Sequence, residues 1–118
     1  MFSILGDISG CSFLDLFAGS GIMALEAFSR GASMAMLVEK DSKKRATLLK
    51  NMAIADAEME SGQMVLLIRP AERSLHPGMK RFDLVYIDPP FAMRDKPKLL
   101  ALSERAGQPA PGGSLIMH

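Results

Sequence analysis

Two short stretches hold residue types that can do chemistry together. The first is Asp88-Pro89-Pro90-Phe91, which directly follows the apolar run 82–87 (FDLVYI). The Asp88 carboxylate and the Pro89 carbonyl can both accept hydrogen bonds from one –NH2 group. Held in that way, the amine presents its lone pair to a methyl donor. Two prolines stiffen the loop and preorganise the acceptors. Phe91 offers a flat face on which a base can stack. The bland alternative is a proline turn over a buried phenylalanine.

The second stretch is Asp15-Leu16-Phe17-Ala18-Gly19-Ser20-Gly21. Glycines between a strand and a helix let the backbone turn sharply and approach a ligand closely. Glu39 follows about 20 residues later, the spacing at which an acid on a strand tip meets ribose hydroxyls. A Gly-x-Gly turn alone is often purely structural, and Glu39 alone reads as a solvated strand end or a partner for Lys40. Together, at this spacing, they favour a nucleotide-type site. They leave NAD and S-adenosylmethionine both open. Asp15, directly before the turn, repels a pyrophosphate and suits the amino group of a methionine moiety. The loop at 88–91 then decides for S-adenosylmethionine.

These residues need a scaffold that brings distant loops to one edge. Apolar runs at 12–16, 34–38, 63–68 and 82–87 read as buried strands, and a fifth begins near Ser114. Helical spacing covers 22–30, with Ile22, Leu25, Ala27 and Phe28 on or near one face and Gly31 as the stop. Asp41 is placed as the N-cap of a second helix reaching about Ala57, with Ala46, Leu49 and Met52 or Ala53 at helical intervals. A short helical turn opens 71–78. A last helix covers 97–105, with Pro97 in its first turn. Residues 1–8 read as the end of a helix. Strands apolar almost throughout are buried on both faces. Alternating strands and helices predict a doubly wound α/β sheet, parallel and of about five strands.

The 118 residues fit one domain, 1–118. Apolar residues make up 48% and charged residues 23%, a globular rather than a disordered balance. A net charge of +1 neither demands nor excludes a nucleic-acid partner. The single cysteine, Cys11, excludes an internal disulfide and a cysteine metal cluster. No metal ligand set is read, and His76 and His118 have no evident partner. Without a basic-then-apolar leader or a membrane-length apolar run, the expected location is the cytoplasm. The ten methionines read as core filling.

With these residues in view, the chain resembles the amino-methylating Rossmann-like class I methyltransferases, whose tetrapeptide is (Asn/Asp/Ser)-Pro-Pro-(Tyr/Phe/Trp). More narrowly it resembles the bacterial small-subunit ribosomal RNA guanine-N2 methyltransferases of the RsmD type. The matching stretches are FLDLFAGSG at 13–21, ALEAFSRGA at 24–32, VEKD at 38–41, Leu49 and Asn51, and FDLVYIDPPF at 82–91. The resemblance implies transfer of a methyl group from S-adenosylmethionine to the exocyclic N2 amine of a guanine in ribosomal RNA. It assigns the cofactor to Asp15, Phe17, Ala18, Gly19, Ser20, Gly21, Glu39, Lys40, Ala71 and Glu72. It assigns the target amine to Asp88 and Pro89, with Pro90 stiffening the loop and Phe91 stacking on the base.

The chain departs from that pattern in three places. Relatives carry an acid after the third strand that reads the adenine amine. Here Pro70 stands near that place, and whether Glu72 substitutes for it is open. Relatives also have a basic RNA-binding segment before the first strand and a closing pair of strands after the fifth, so truncation at both ends is expected. An open sheet edge would then favour self-association. Of the basic residues, Lys40, Lys43, Lys44 and Arg45 read as solvated surface. Arg94, Lys96 and Lys98 follow the 88–91 loop and suit phosphate contacts. Two enzyme alternatives keep the chemistry but change the acceptor: DNA adenine-N6 and protein glutamine-N5 methylation. Asp88 and Phe91 lean toward the guanine group. A third alternative is a chain that binds S-adenosylmethionine without turnover. An NAD-dependent oxidoreductase is disfavoured by Asp15 and the 88–91 loop.

Overall fold

A computed structural model of the chain describes residues 9–58, 63–89 and 96–117. The helix end read at 1–8 lies outside them, as do Pro90, Phe91 and Arg94. Five strands form one sheet: β1 (Ser12–Asp15), β2 (Met34–Glu39), β3 (Gln63–Ile68), β4 (Leu84–Ile87) and β5 (Ser114–Met117). The helices are α1 (Ile22–Ser29), α2 (Arg45–Glu58), α3 (Ala71–Ser74) and α4 (Lys96–Arg105). All paired strands are parallel, in the order β3-β2-β1-β4-β5. The order reverses between β1 and β4, which opens a crevice beyond their carboxyl ends. In the described sheet β3 and β5 are the edge strands.

Alternation along each strand splits the core into two layers. Phe13, Ala35, Leu37, Leu84 and Tyr86 pack with Met23, Ala24, Ala27 and Phe28 of α1 and Leu48 of α2. Leu14, Val38, Val85 and Ile87 pack with Ala71 of α3 and Leu99 of α4 on the opposite face. Helices thus cover both faces, the doubly wound arrangement expected from strands that are apolar throughout.

The buried stripes of α1 and α2 differ from the spacing-based expectation. In α1 they are Met23, Ala24, Ala27 and Phe28, while Ile22 is exposed. Two alanines on the inner stripe let the helix lie close to the sheet, and Ile22 falls on the other side. Among the described side chains of α2, Leu48 is buried and Leu49 is exposed. Leu48 is drawn inward because its Cδ2 fills the space over Gly21, 3.1 Å from where a Cβ would stand.

Two boundaries also move. Asp41 does cap, its Oδ1 accepting the Lys43 N–H at 3.0 Å, but what it caps is a 3-10 turn at Ser42–Lys44 that precedes α2. β4 begins at Leu84 instead of Phe82. The Phe82 N–H donates to Gln108 Oε1 at 2.9 Å and the Asp83 N–H to Ser12 Oγ at 3.0 Å. With those two amide groups bonded to side chains, the parallel ladder starts two residues later than expected.

Candidate active site

Register explains why three acids meet. Asp15 pairs with Leu37 of β2 and with Tyr86 of β4. Glu39 stands two residues beyond Leu37, and Asp88 two beyond Tyr86. Side chains two apart share a face, so Asp15, Glu39 and Asp88 come from one face of three adjacent strands at their carboxyl ends. A cavity of about 860 Å³ opens there. Leu16, Phe17 and Gly19 line it from the β1 turn, Glu39 to Ser42 and Lys44 from the β2 side, Pro70, Ala71 and Glu72 from α3, and Asp88 from β4. That volume suits a ligand of cofactor size.

The glycine turn is held from three sides. The Leu16 N–H donates to the Tyr86 carbonyl at 3.2 Å, the Ala18 N–H to the Val38 carbonyl at 2.9 Å, and the Gly19 N–H to Glu39 Oε1 at 2.8 Å. Asn51 of α2 supports it from behind, its Nδ2 donating to the Ser20 carbonyl at 2.6 Å. Gly19 and Gly21 have φ of 58° and 84°, values that L side chains rarely adopt. Gly21 is also packed against Leu48 and Leu37, whereas a Cβ on Gly19 would meet nothing within 4 Å. The open space over Gly19 lies on the cavity wall.

Electrostatics distinguish the three acids. Asp15 is 1% exposed, and its Oδ1 accepts the Phe17 N–H at 3.1 Å. Burial pushes its carboxyl up to about 7; the Phe17 N–H acts in the opposite sense, and repulsion from Asp88 and Glu39 adds to the rise. Asp15 therefore sits beneath the turn and does not itself line the cavity. Glu39 is 8% exposed and uses one oxygen for Gly19 and the other for the Asp41 N–H, at 2.9 Å. A carboxylate has about four acceptor positions, so each oxygen keeps capacity for a hydroxyl. Asp88 is exposed at the mouth.

Of the other residues named from sequence, Phe17, Gly19, Lys40, Ala71 and Glu72 line the cavity, while Ala18, Ser20 and Gly21 shape the turn behind it. Pro89 is half-buried beside Asp88. Pro90 and Phe91 lie outside the described residues. Leu16, Asp41, Ser42 and Lys44, which line the cavity, and Asn51, which braces the turn, are site residues that the motifs alone do not single out. Asp41 had one usable signal, its place two residues after Glu39.

A family model described as Conserved hypothetical protein 95 matches residues 1–117. The chain belongs to this family. Within it, the chain is similar to the Bacillus subtilis (strain 168) protein YlbH, provisionally named an rRNA methyltransferase, with 33% identity over 106 residues. That match takes in 86% of this chain and 56% of YlbH. It is also similar to the Ribosomal RNA small subunit methyltransferase D of Escherichia coli (strain K12), with 37% identity over 78 residues, 66% of this chain and 37% of that protein. The chain thus spans about half or less of the length of these relatives. Among solved structures, one described as a conserved hypothetical protein of Streptococcus pyogenes superposes with a TM-score of 0.81 at 38% identity, covering 92% of this chain and 67% of that one. The RsmD-type resemblance read from residues 12–91 agrees with these matches.

Proposed function

We propose that this chain is the cofactor-binding core of an S-adenosylmethionine-dependent methyltransferase acting on the exocyclic N2 amine of a guanine in small-subunit ribosomal RNA. One observation carries the reading: a single cavity joins the Gly19–Glu39 turn to Asp88. It is supported by the names of the two relatives above. Asp15, beneath the turn, supplies negative charge for an ammonium. Glu39 takes ribose hydroxyls with its remaining acceptor positions, and the open face of Gly19 admits close approach.

When bound, S-adenosylmethionine supplies an electrophilic methyl group on a sulfonium. Asp88 and the Pro89 carbonyl accept the two N–H groups of the target amine and aim its lone pair. Asp88 also offsets the positive charge that grows on nitrogen as the new N–C bond would form and the methyl–sulfur bond break, and it would accept the proton that the nitrogen then sheds. Orientation of this kind supplies much of the rate acceleration when two reactants are held together. Phe91 would stack on the base, and the partner would be the small ribosomal subunit.

The test is methyl transfer to small ribosomal particles that lack the modification, with the product nucleoside identified by mass. N2-methylguanosine is expected. Asp88→Ala is expected to abolish transfer, by at least about a hundredfold, while cofactor affinity changes little. Normal turnover by that variant would refute the assignment of Asp88. Methylation of DNA adenine or of a protein glutamine would redirect the acceptor.

A further inference from the structure

Residues 40–45 read Lys-Asp-Ser-Lys-Lys-Arg, four cations and one acid in a chain whose net charge is +1. The remainder of the chain is therefore net acidic. Lys40, Lys43, Lys44 and Arg45 are all exposed, and among the described residues none of them forms an ion pair. The acids nearest in the chain bond to backbone instead. Asp41 Oδ1 accepts the Lys43 N–H, and Glu39 takes the N–H groups of Gly19 and Asp41. The fold gains nothing from these charges. Arg45 opens α2, and Lys43 and Lys44 stand directly ahead of it, at the end where the helix dipole repels cations. The last turn of α2 holds Asp56 and Glu58 and no cation, again the unfavourable sense.

Their place beside the cavity gives these cations a use. Lys40 directly follows β2, Asp88 directly follows β4, and β1 lies between those strands. Two strand spacings put the two tips about 10 Å apart. Lys40 and Lys44 line the same cavity as Asp88. Under the function proposed above, Asp88 receives the N2 amine of a guanine. In a base pair that amine is bonded to cytosine, so the base must enter unpaired, with its flanking backbone beside the cavity. Contacts to phosphates position such a strand. We infer that Lys40, Lys43, Lys44 and Arg45 form a phosphate-contacting surface that carries the substrate RNA backbone along the β2 side of the cavity, across from Asp88. The inference rests on the function proposed above.

The test measures binding of a fluorescent single-stranded RNA oligonucleotide to the whole chain over a range of salt, with S-adenosylhomocysteine titrated in parallel. Lys43 and Arg45 do not line the cavity, so Lys43→Ala/Arg45→Ala removes two cations and leaves the cofactor walls intact. This double variant is expected to lower RNA affinity about tenfold. It should also flatten the slope of log affinity against log salt by about 1.4, the share of two phosphate contacts on a single strand. Binding of S-adenosylhomocysteine should be unchanged, and the thermal midpoint unchanged or raised, since the dipole opposes both charges. Lys80→Ala/Arg81→Ala removes the same charge ahead of β4, at the amino edge of the sheet, and should leave RNA affinity and slope as they are. An equal loss from both pairs, or no loss from Lys43→Ala/Arg45→Ala, would overturn the inference. So would a chain that binds S-adenosylhomocysteine but not RNA, or one that binds polyglutamate as tightly as RNA, which would mark the surface for an acidic protein. Failure of the unaltered chain to bind S-adenosylhomocysteine would instead overturn the proposed function.

Discussion

The backbone N–H of Gly19 donates to Glu39 Oε1 at 2.8 Å, tying the turn after β1 to the tip of β2. The second oxygen of the same carboxylate accepts the Asp41 N–H at 2.9 Å. One buried side chain thus fixes two loops that line the cavity. Hydrogen bonds to a charged group contribute about 1.5–3 kcal/mol each. Glu39→Ala is expected to lower the unfolding free energy by about 3 kcal/mol or more and to weaken S-adenosylmethionine binding by at least tenfold or so. Urea unfolding and a binding titration check both effects. Unchanged stability would mean that these loops hold their shape without Glu39.

The two glycines of the turn should respond differently to alanine. Gly21 combines a φ of 84° with Leu48 and Leu37 at 3.1 and 3.3 Å from where a Cβ would stand, so its substitution strains the backbone and crowds the core. Gly19 has a φ of 58° and open space around the Cβ position. Gly21→Ala is expected to destabilise by about 2 kcal/mol or more, and Gly19→Ala by about 1 kcal/mol. Gly19→Ala should show the larger loss of cofactor affinity relative to its loss of stability, because its methyl group would project beside the cavity. Denaturant curves and binding titrations on both variants make the comparison.

Asp15 gives the chain a pH signature. Its folded carboxyl sits at about 7 against an ordinary value of 3.8, with burial as the main cause. Between those values the folded state holds a proton that the unfolded state has released. Stability therefore falls as pH rises from about 4 to about 7 and levels off above. Asp15→Asn is expected to flatten that slope, which urea unfolding at pH 5 and pH 8 would show. Affinity for S-adenosylmethionine is expected to rise across pH 7, since an ammonium favours the ionised carboxylate. An identical stability slope in Asp15→Asn would place the titration elsewhere.

The strand-tip acids were legible in the sequence because apolar runs locate strand ends and parallel sheets gather those ends at one edge. The sequence marks β3 at its observed limits, Gln63–Ile68, since Pro70 closes it sharply. The apolar run places the start of β4 two residues early because Phe82 looks like strand, yet its N–H bonds to Gln108, 26 residues away. Such a partner leaves no local signal. Asn51 was matched as a family position, but its contact with Ser20 spans 31 residues and depends on how α2 packs over the turn. The buried stripes of α1 and α2 missed Met23 and Leu48 for a related reason. Helical spacing gives a period, and the neighbouring sheet selects which phase of it faces inward.

The proposed function requires that the cavity between Gly19, Glu39 and Asp88 bind S-adenosylmethionine. Calorimetric titration of the purified chain with S-adenosylmethionine and, in parallel, with NAD tests it most directly. The expected result is saturable binding of S-adenosylmethionine and none of NAD. A folded chain that bound NAD instead, or bound neither, would rule out a methyl-donor site in this cavity.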